Sequence, residues 1–194
     1  MTHLGVVLAA CRIYEPGLDP VKIGKQINEI SEKAKEEAAK VTTGREKIAA
    51  VNKVIYEDFG FETDKSAAQS QISGDGALDS SLLTRVLERK QGICLGLSTV
   101  YLVVAERAGL PVYAVHAPGH IFCRYDDGKE KFNIECTAGG KTLPDAMVCR
   151  ITGATPAARA RARACSATPR RWSVRGPARS SCASPASTVP AART

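Results

Sequence analysis

The chain has 194 residues, 44% of them apolar, which is enough for one globular domain with a packed core. Its formal charge of +7 is confined to one end, because residues 150–194 hold nine Arg and no Lys, Asp or Glu, whereas residues 1–149 hold 18 basic and 20 acidic groups. A basic fold surface of the kind that binds nucleic acid is therefore excluded. No apolar run is long enough to span a bilayer, so we expect no membrane partner.

Two amphipathic helices are predicted in the first third of the chain. Over residues 19–41, apolar side chains recur at steps of three and four between charged residues, with Asp19 and Pro20 as N-cap and first helical residue. Gly44 is predicted to lie just beyond the end of this helix. A second helix is predicted at about residues 45–58.

Residues 62–79 are polar, contain glycine and show no apolar period, which predicts a surface loop. A short helix follows around residues 82–87 and ends at Gly92. Residues 93–108 are largely apolar and free of Pro, which predicts a buried helix with Cys94 in its first turn.

Three strands are predicted after this helix, at residues 111–117, 120–125 and 131–136. Asp127 and Gly128 supply the turn of a hairpin between the last two strands. The predicted fold class is α+β: N-terminal helices come first, and a helix that carries Cys94 then packs on an antiparallel sheet.

The composition changes abruptly at residue 150. Residues 150–194 contain Arg, Ala, Pro and Ser without any period and lack Lys, Leu, Phe, Tyr, Asp and Glu. This composition is typical of a disordered segment, or of a gene translated out of frame. The predicted organisation is an N-terminal helical part at 1–61, a core at 80–149 and a tail at 150–194.

The seven cysteines are an odd number and show no C-x-x-C spacing, which argues against a disulfide framework and a zinc ribbon. A reducing compartment, and hence a cytoplasmic location, is the simplest expectation. Residues 8–11 spell a lipoprotein-type cleavage site, but the run before it is short and has no Lys or Arg, so we expect no secretory signal.

Cys94 is a candidate nucleophile because of its position. A helix N-terminus offers unpaired backbone N–H groups and a favourable dipole, both of which stabilise a thiolate. The same N–H groups can bind the oxyanion that forms when a thiolate attacks an amide. The alternative is a buried structural cysteine, which is the commoner role of an unpaired thiol.

His120 and Glu135 are the candidate base and its orienting group. A hairpin centred on Asp127 and Gly128 places His120 directly opposite Glu135, so the carboxylate can fix the imidazole tautomer. Cys94, His120 and Glu135 then form a catalytic triad. The alternative is a histidine–glutamate pair on a solvated sheet face, with no chemical role.

A zinc site at His120, Cys123 and Cys136 is disfavoured, because an odd separation along a strand points His120 and Cys123 to opposite faces. We expect no metal and no cofactor. The role of His116 stays open, because the bend at Pro118 and Gly119 that follows it has no predictable direction.

The segments GICLGLS, PGHIF and NIECTAGG, in that order and spacing, resemble the bacterial transglutaminase-like proteins of the papain-like superfamily. The resemblance extends upstream to about residue 7 and so covers roughly three quarters of the chain. It implies the same three site residues, Cys94, His120 and Glu135, with Glu where much of the superfamily has Asp. It also implies further helical sequence beyond residue 145, so the fold is expected to be truncated at its C-terminus.

Two functions follow from this resemblance. The first is an enzyme that attacks amide bonds of a protein or peptide substrate through a Cys94 thioester, as a peptidase or a transamidase. The alternative is a non-catalytic module that holds a peptide in the same groove, since some branches of the family lack the nucleophile.

Overall fold

A computed structural model describes residues 2–66 and 78–144 of the chain. The predicted tail at 150–194 and the last residues of the predicted core lie outside these ranges. The helices are α1 His3–Tyr14, α2 Pro20–Ala39, α3 Gly44–Asn52, α4 Leu83–Arg89 and α5 Cys94–Arg107. The strands are β1 Glu62–Thr63, β2 Gln91–Gly92, β3 Val112–Ala117, β4 His120–Asp126, β5 Lys131–Glu135 and β6 Lys141–Leu143. The predicted α+β class, with helices first and an antiparallel sheet after, is confirmed.

Helix α2 begins as its sequence predicts. The Asp19 carboxylate accepts hydrogen bonds from the backbone N–H groups of Val21 and Lys22, and Pro20 is the first helical residue. The apolar stripe of α2 is buried and consists of Ile23, Ile27, Ile30, Ala34 and Ala38. Val21, which fits the same period, is 63% exposed because it lies in the first turn, outside the helix contact.

Gly44 begins α3, so its predicted place beyond the end of α2 is only part of its role. Thr43 and Glu46 form a reciprocal capping box at this helix start. A Cβ on Gly44 would lie 2.5 Å from the Tyr125 ring, so this position needs glycine for space. Helix α3 ends at Asn52 and is followed directly by a π-helical turn, Lys53–Asp58, in which Val54 and Ile55 are buried.

The prediction of a loop over residues 62–79 is wrong at its start. Glu62 and Thr63 form β1, which pairs in parallel with β2, Gln91–Gly92. Two residues carry no detectable period, and their partner lies far along the chain, so no local pattern could indicate this strand. Residues 67–77 lie outside the described ranges.

The main sheet has four antiparallel strands in the order β3, β4, β5, β6. The predicted register of the hairpin between β4 and β5 is wrong by two residues, because Asp126 pairs with Lys131 and Cys123 with Ile134. The loop is displaced toward the C-terminus because the Asp127 carboxylate accepts the backbone N–H groups of Lys129 and Glu130 at 2.8 and 2.7 Å. A shift of two residues keeps every side chain on its predicted face.

The N-terminal helices and the sheet share one hydrophobic core. Leu4 and Cys11 of α1 belong to the same buried cluster as Val104 of α5 and Ile134 of β5. Helix α5 lies in the middle, packed on α2 on one side and on β4 on the other. None of the helices in the described ranges combines the length and the hydropathy needed to cross a membrane.

Candidate active site

Cys94 is the first residue of α5, as predicted, and it is partly exposed. The N-cap residue is Ile93, whose backbone is extended and whose side chain makes no capping hydrogen bond. The backbone N–H of Ile93 donates a hydrogen bond to the carbonyl of Ser80 at 2.9 Å. The first backbone N–H groups of α5 are therefore left without a side-chain cap, next to the Cys94 sulfur.

The glycines on both sides of Cys94 allow the helix to begin close to the polypeptide around Ser80. A Cβ at Gly96 would lie 2.5 Å from the Ser80 carbonyl oxygen, and one at Gly92 would lie 3.2 Å from it. Larger residues would push α5 away from Ser80 and would move Cys94 with it. The GICLG sequence thus reflects a close backbone approach at the start of the helix.

His120 is the first residue of β4 and lies between Cys94 and Glu135. Its Nε2 atom is 2.7 Å from Oε2 of Glu135, and its interaction with the Cys94 thiol lowers the pKa of that thiol. Because Glu135 engages Nε2, Nδ1 is the nitrogen left for the thiol. The His120 and Glu135 side chains are only 16% and 7% exposed, which contradicts the alternative of a solvated surface pair.

The observed register of β4 and β5 makes the contact between His120 and Glu135 a diagonal one. The prediction that His120 and Glu135 are directly opposite is wrong, but the two residues remain on the same face of the sheet. The long glutamate side chain reaches across the diagonal between them. The Phe122 ring, on the same face of β4, stacks on the imidazole with centroids 6.3 Å apart.

Both carboxylate oxygens of Glu135 are engaged. Oε2 contacts His120, while Oε1 accepts the Thr137 hydroxyl at 2.6 Å and the Thr137 backbone N–H at 3.1 Å. Burial alone would raise the pKa of Glu135, but the hydrogen bonds from His120 and Thr137 hold that pKa below its ordinary value. The carboxylate is therefore ionised and fixed in orientation.

The interactions among Cys94, His120 and Glu135 lower the pKa of the thiol and raise the pKa of the imidazole. The hydrogen bond from His120 lowers the pKa of Cys94, against the effect of partial burial, and the backbone N–H groups of Ile121 and Leu95 lower it further. The hydrogen bonds to Cys94 and Glu135 raise the pKa of His120 to about 10. These directions favour a thiolate beside an imidazolium at neutral pH, which is the reactive form of a nucleophilic cysteine.

The zinc candidates are separated as the strand parity predicts. Cys123 and Cys136 are buried on the face that packs on α5, with their sulfurs 3.6 Å apart, whereas His120 faces Glu135. Within residues 2–66 and 78–144, no three side chains of His, Cys, Asp or Glu converge in a way that could hold a metal ion. His116 is exposed on the edge strand β3, where it pairs with Ile121 and therefore lies on the sheet face opposite to His120.

Sequence reasoning missed Thr137 and the polar groups around Ser80. Thr137 follows Glu135 by two residues in a 3₁₀ turn, Cys136–Ala138, whereas the sequence predicted a strand that ends at residue 136 and no turn after it. A threonine two residues after an acidic residue is a recognisable local hydrogen-bonding pattern, and it could have been found. The contact of Ser80 with α5 is non-local and leaves no sequence signal.

The chain belongs to the transglutaminase-like superfamily, whose family model matches residues 22–171. The matched range begins inside α2 and extends past residue 150, into the range predicted as a tail. The resemblance seen in the sequence is thereby confirmed, and the superfamily contains enzymes.

The individual proteins that this chain is similar to share between 25% and 28% of their aligned residues with it. The chain is 25% identical over 173 residues to a UPF0162 protein of Xylella fastidiosa strain 9a5c, covering 87% of this chain and 59% of that protein. It is 26% identical over 127 residues to the UPF0162 protein of strain Temecula1, covering 64% and 43% of the two chains. It is also 28% identical over 81 residues to F-box only protein 21 of Mus musculus, covering 42% of this chain and 12% of that one. The chain spans about half the length of the curated bacterial relatives it matches.

Among solved structures, a crystal structure of a TGase superposes with a TM-score of 0.47 and 24% sequence identity. The superposition covers 60% of this chain and 32% of the other.

Proposed function

We propose that this protein is a cysteine acyl-transfer enzyme that acts on amide bonds of a protein or peptide, with Cys94 as nucleophile, His120 as base and Glu135 as the group that orients His120. The observation that carries the proposal is the position of His120, whose Nε2 is 2.7 Å from Glu135 and whose interaction with the Cys94 thiol lowers the pKa of that thiol. A buried structural cysteine would have no such partner.

In the proposed reaction, the Cys94 thiolate attacks the amide carbonyl carbon and forms a carbon–sulfur bond, and the carbonyl electrons move to oxygen. The uncapped N–H groups at the start of α5 are the candidate donors to that oxyanion. His120 gives its proton to the leaving amine, the carbon–nitrogen bond breaks, and a thioester remains on Cys94. Water or a second amine then attacks the thioester and, helped by His120, releases the acid or a new amide.

Glu135 keeps His120 in the productive orientation throughout this cycle. Its ionised carboxylate stabilises the imidazolium and selects the tautomer that presents Nδ1 to the sulfur. We further propose a cytoplasmic location, which the free thiols of Cys11, Cys94, Cys123 and Cys136 favour, because two of these sulfurs lie close together without a bond.

The test is to trap the acyl-enzyme. Wild-type protein is incubated with glutamine-containing peptides and digested with trypsin, and the peptide of residues 91–107, in which Cys94 is the only cysteine, is searched for an acyl adduct. A parallel incubation contains hydroxylamine, which cleaves the thioester and releases a peptide hydroxamate. We expect the adduct and a peptide hydroxamate with wild type and with Cys123→Ala, and neither with Cys94→Ala.

The matched variants make the result specific to one thiol. If hydroxamate forms equally with Cys94→Ala, the acyl-transfer proposal is wrong. If no adduct forms and Cys94 reacts with iodoacetamide only near the pKa of a free thiol, the non-catalytic peptide-binding module replaces it.

A further inference from the structure

Segment 62–64, which precedes the first gap in the described residues, contacts the start of the nucleophile helix. The Glu62 N–H donates to Lys90 O at 2.8 Å, and the Asp64 N–H donates to Gly92 O at 3.0 Å. Only Ile93 separates this parallel pairing from Cys94. Segment 62–64 is thereby fixed to the backbone that carries the thiol.

Asp64 strengthens the same connection through its side chain. It is buried, and its Oδ2 atom accepts the Ser80 hydroxyl at 2.8 Å and Arg89 Nη2 at 2.9 Å. Ser80 in turn accepts the Ile93 N–H through its carbonyl. Two separate routes therefore join segment 62–64 to the N-cap of α5.

Thr63 contacts the other half of the site. Its hydroxyl donates to the backbone carbonyl of Thr137 at 2.6 Å. Thr137 holds Oε1 of Glu135 through both its hydroxyl and its N–H, which leaves Oε2 directed at His120. One continuous series of hydrogen bonds thus runs from the helix start, through segment 62–64, to the carboxylate behind His120.

We propose that Thr137 and Thr63 are positioning residues of the active site: Thr137 fixes the rotamer of Glu135, and Thr63 fixes Thr137 relative to the start of α5. This inference rests on the proposed function, because it concerns how Glu135 acts on His120 and Cys94. Thr137 acts through Glu135, and Thr63 acts through Thr137 and the β1–β2 pairing; neither one touches the reacting atoms.

The test measures the pH dependence of Cys94 alkylation by iodoacetamide, followed on the tryptic peptide 91–107. Thr137→Val removes the hydroxyl donor while keeping the shape and the backbone N–H. The carboxylate loses one hydrogen bond, His120 is held less firmly as an imidazolium, and the alkylation midpoint should rise by roughly 0.3 to 1 pH unit. Thr137→Ser should restore the wild-type midpoint.

Thr142→Val is the matched control, because Thr142 is exposed on β6 and pairs with Ile134, so its hydroxyl lies on the sheet face opposite to the Glu135 carboxylate. Thr63→Val should move the midpoint in the same direction by a smaller amount, and Thr63→Ser should not. Thermal unfolding is recorded for every variant, because a merely structural threonine lowers the melting temperature without moving the midpoint. Should Thr137→Val fail to fold, the Thr63 pair of variants decides the question.

The outcomes separate the two proposals. If wild-type Cys94 is alkylated at mildly acidic pH and Thr137→Val and Thr63→Val leave the midpoint unchanged, the positioning role is overturned and the proposed function stands. If wild-type Cys94 itself titrates like a free thiol, both proposals fail. A midpoint that rises with both valines and returns with both serines supports the positioning role.

Discussion

Cys94 and Cys123 lie on the same pair of packed elements and have opposite acid–base properties. Cys94 begins α5 beside His120, and the interaction with this histidine lowers the pKa of the Cys94 thiol. Cys123 lies three residues after His120 on β4, fully buried, and burial raises its pKa. His120 and Cys123 are separated by an odd number of residues on β4, so their side chains point to opposite faces of the sheet. The His120 ring therefore faces Glu135, whereas the Cys123 thiol lies in the apolar core. The direction in which the pKa of each thiol is shifted therefore follows from its environment and not from residue type.

Removing His120 should break this contrast most strongly. In His120→Ala the Cys94 thiol loses its main charge-stabilising partner, and its pKa should return toward the ordinary value. We expect alkylation of Cys94 at pH 6 to fall by at least about tenfold, since each unit of pKa changes the thiolate fraction by that factor. Peptide 108–124, which carries Cys123, is the internal reference and should stay unlabelled in the folded protein. Unchanged labelling of Cys94 would contradict its pairing with His120.

Neutralising Glu135 should have a weaker effect of the same kind. Glu135→Gln keeps a hydrogen-bonding side chain of the same length next to His120 but removes the charge that favours the imidazolium. We expect Cys94 alkylation at pH 6 to fall by about threefold, equivalent to about half a pKa unit, because the glutamine still accepts a hydrogen bond from His120 and only the charge is lost. A loss larger than that of His120→Ala would mean that Glu135 acts on Cys94 by another route.

Substitution of Cys123 should sharpen the contrast from the other side. Cys123→Ala deletes a buried sulfur and leaves a small cavity between α5 and the sheet, so the free energy of unfolding should fall by about 1–2 kcal/mol. Denaturant unfolding measures this loss. The rate of Cys94 alkylation should not change, and a change would show that the two thiols are coupled.

The pairing of His120 should also appear in the pH dependence of stability. The pKa of His120 is raised from 6.5 to about 10 in the folded state, so the stability it contributes is complete below pH 6.5 and is lost as the pH rises through 10. The difference in melting temperature between wild type and His120→Ala should therefore be largest near pH 6.5 and should shrink toward pH 10. A difference that grows over this interval would contradict the direction of the shift.

Local sequence patterns were sufficient for much of the fold and for the side chains of the candidate site. The period of α2, the Asp19–Pro20 start and the apolar run of α5 each depend on neighbouring residues, and the structure has them as predicted. The common face of His120 and Glu135 was predicted from strand parity, which survived an error of two residues in register. Their catalytic roles remain proposals.

The missing parts depend on contacts between distant residues. Thr63 bonds to a carbonyl 74 positions away, and Ile93 finds its acceptor in Ser80 because two glycines allow a close approach. No periodicity records such contacts. The hairpin register was missed for a different reason: the carboxylate of Asp127 caps the loop, and this side-chain preference outweighed the turn that Asp-Gly favours.

The shared core has a practical consequence for anyone who shortens this protein. The family match begins at residue 22, the third residue of α2, and a fragment cut at that point would lose the Asp19 cap, which is worth about 1 kcal/mol. It would also lose α1, whose Leu4 and Cys11 are buried against the other elements. The remaining apolar surface would face water and invite association between chains. Expression fragments that begin ahead of His3 keep this layer of the core.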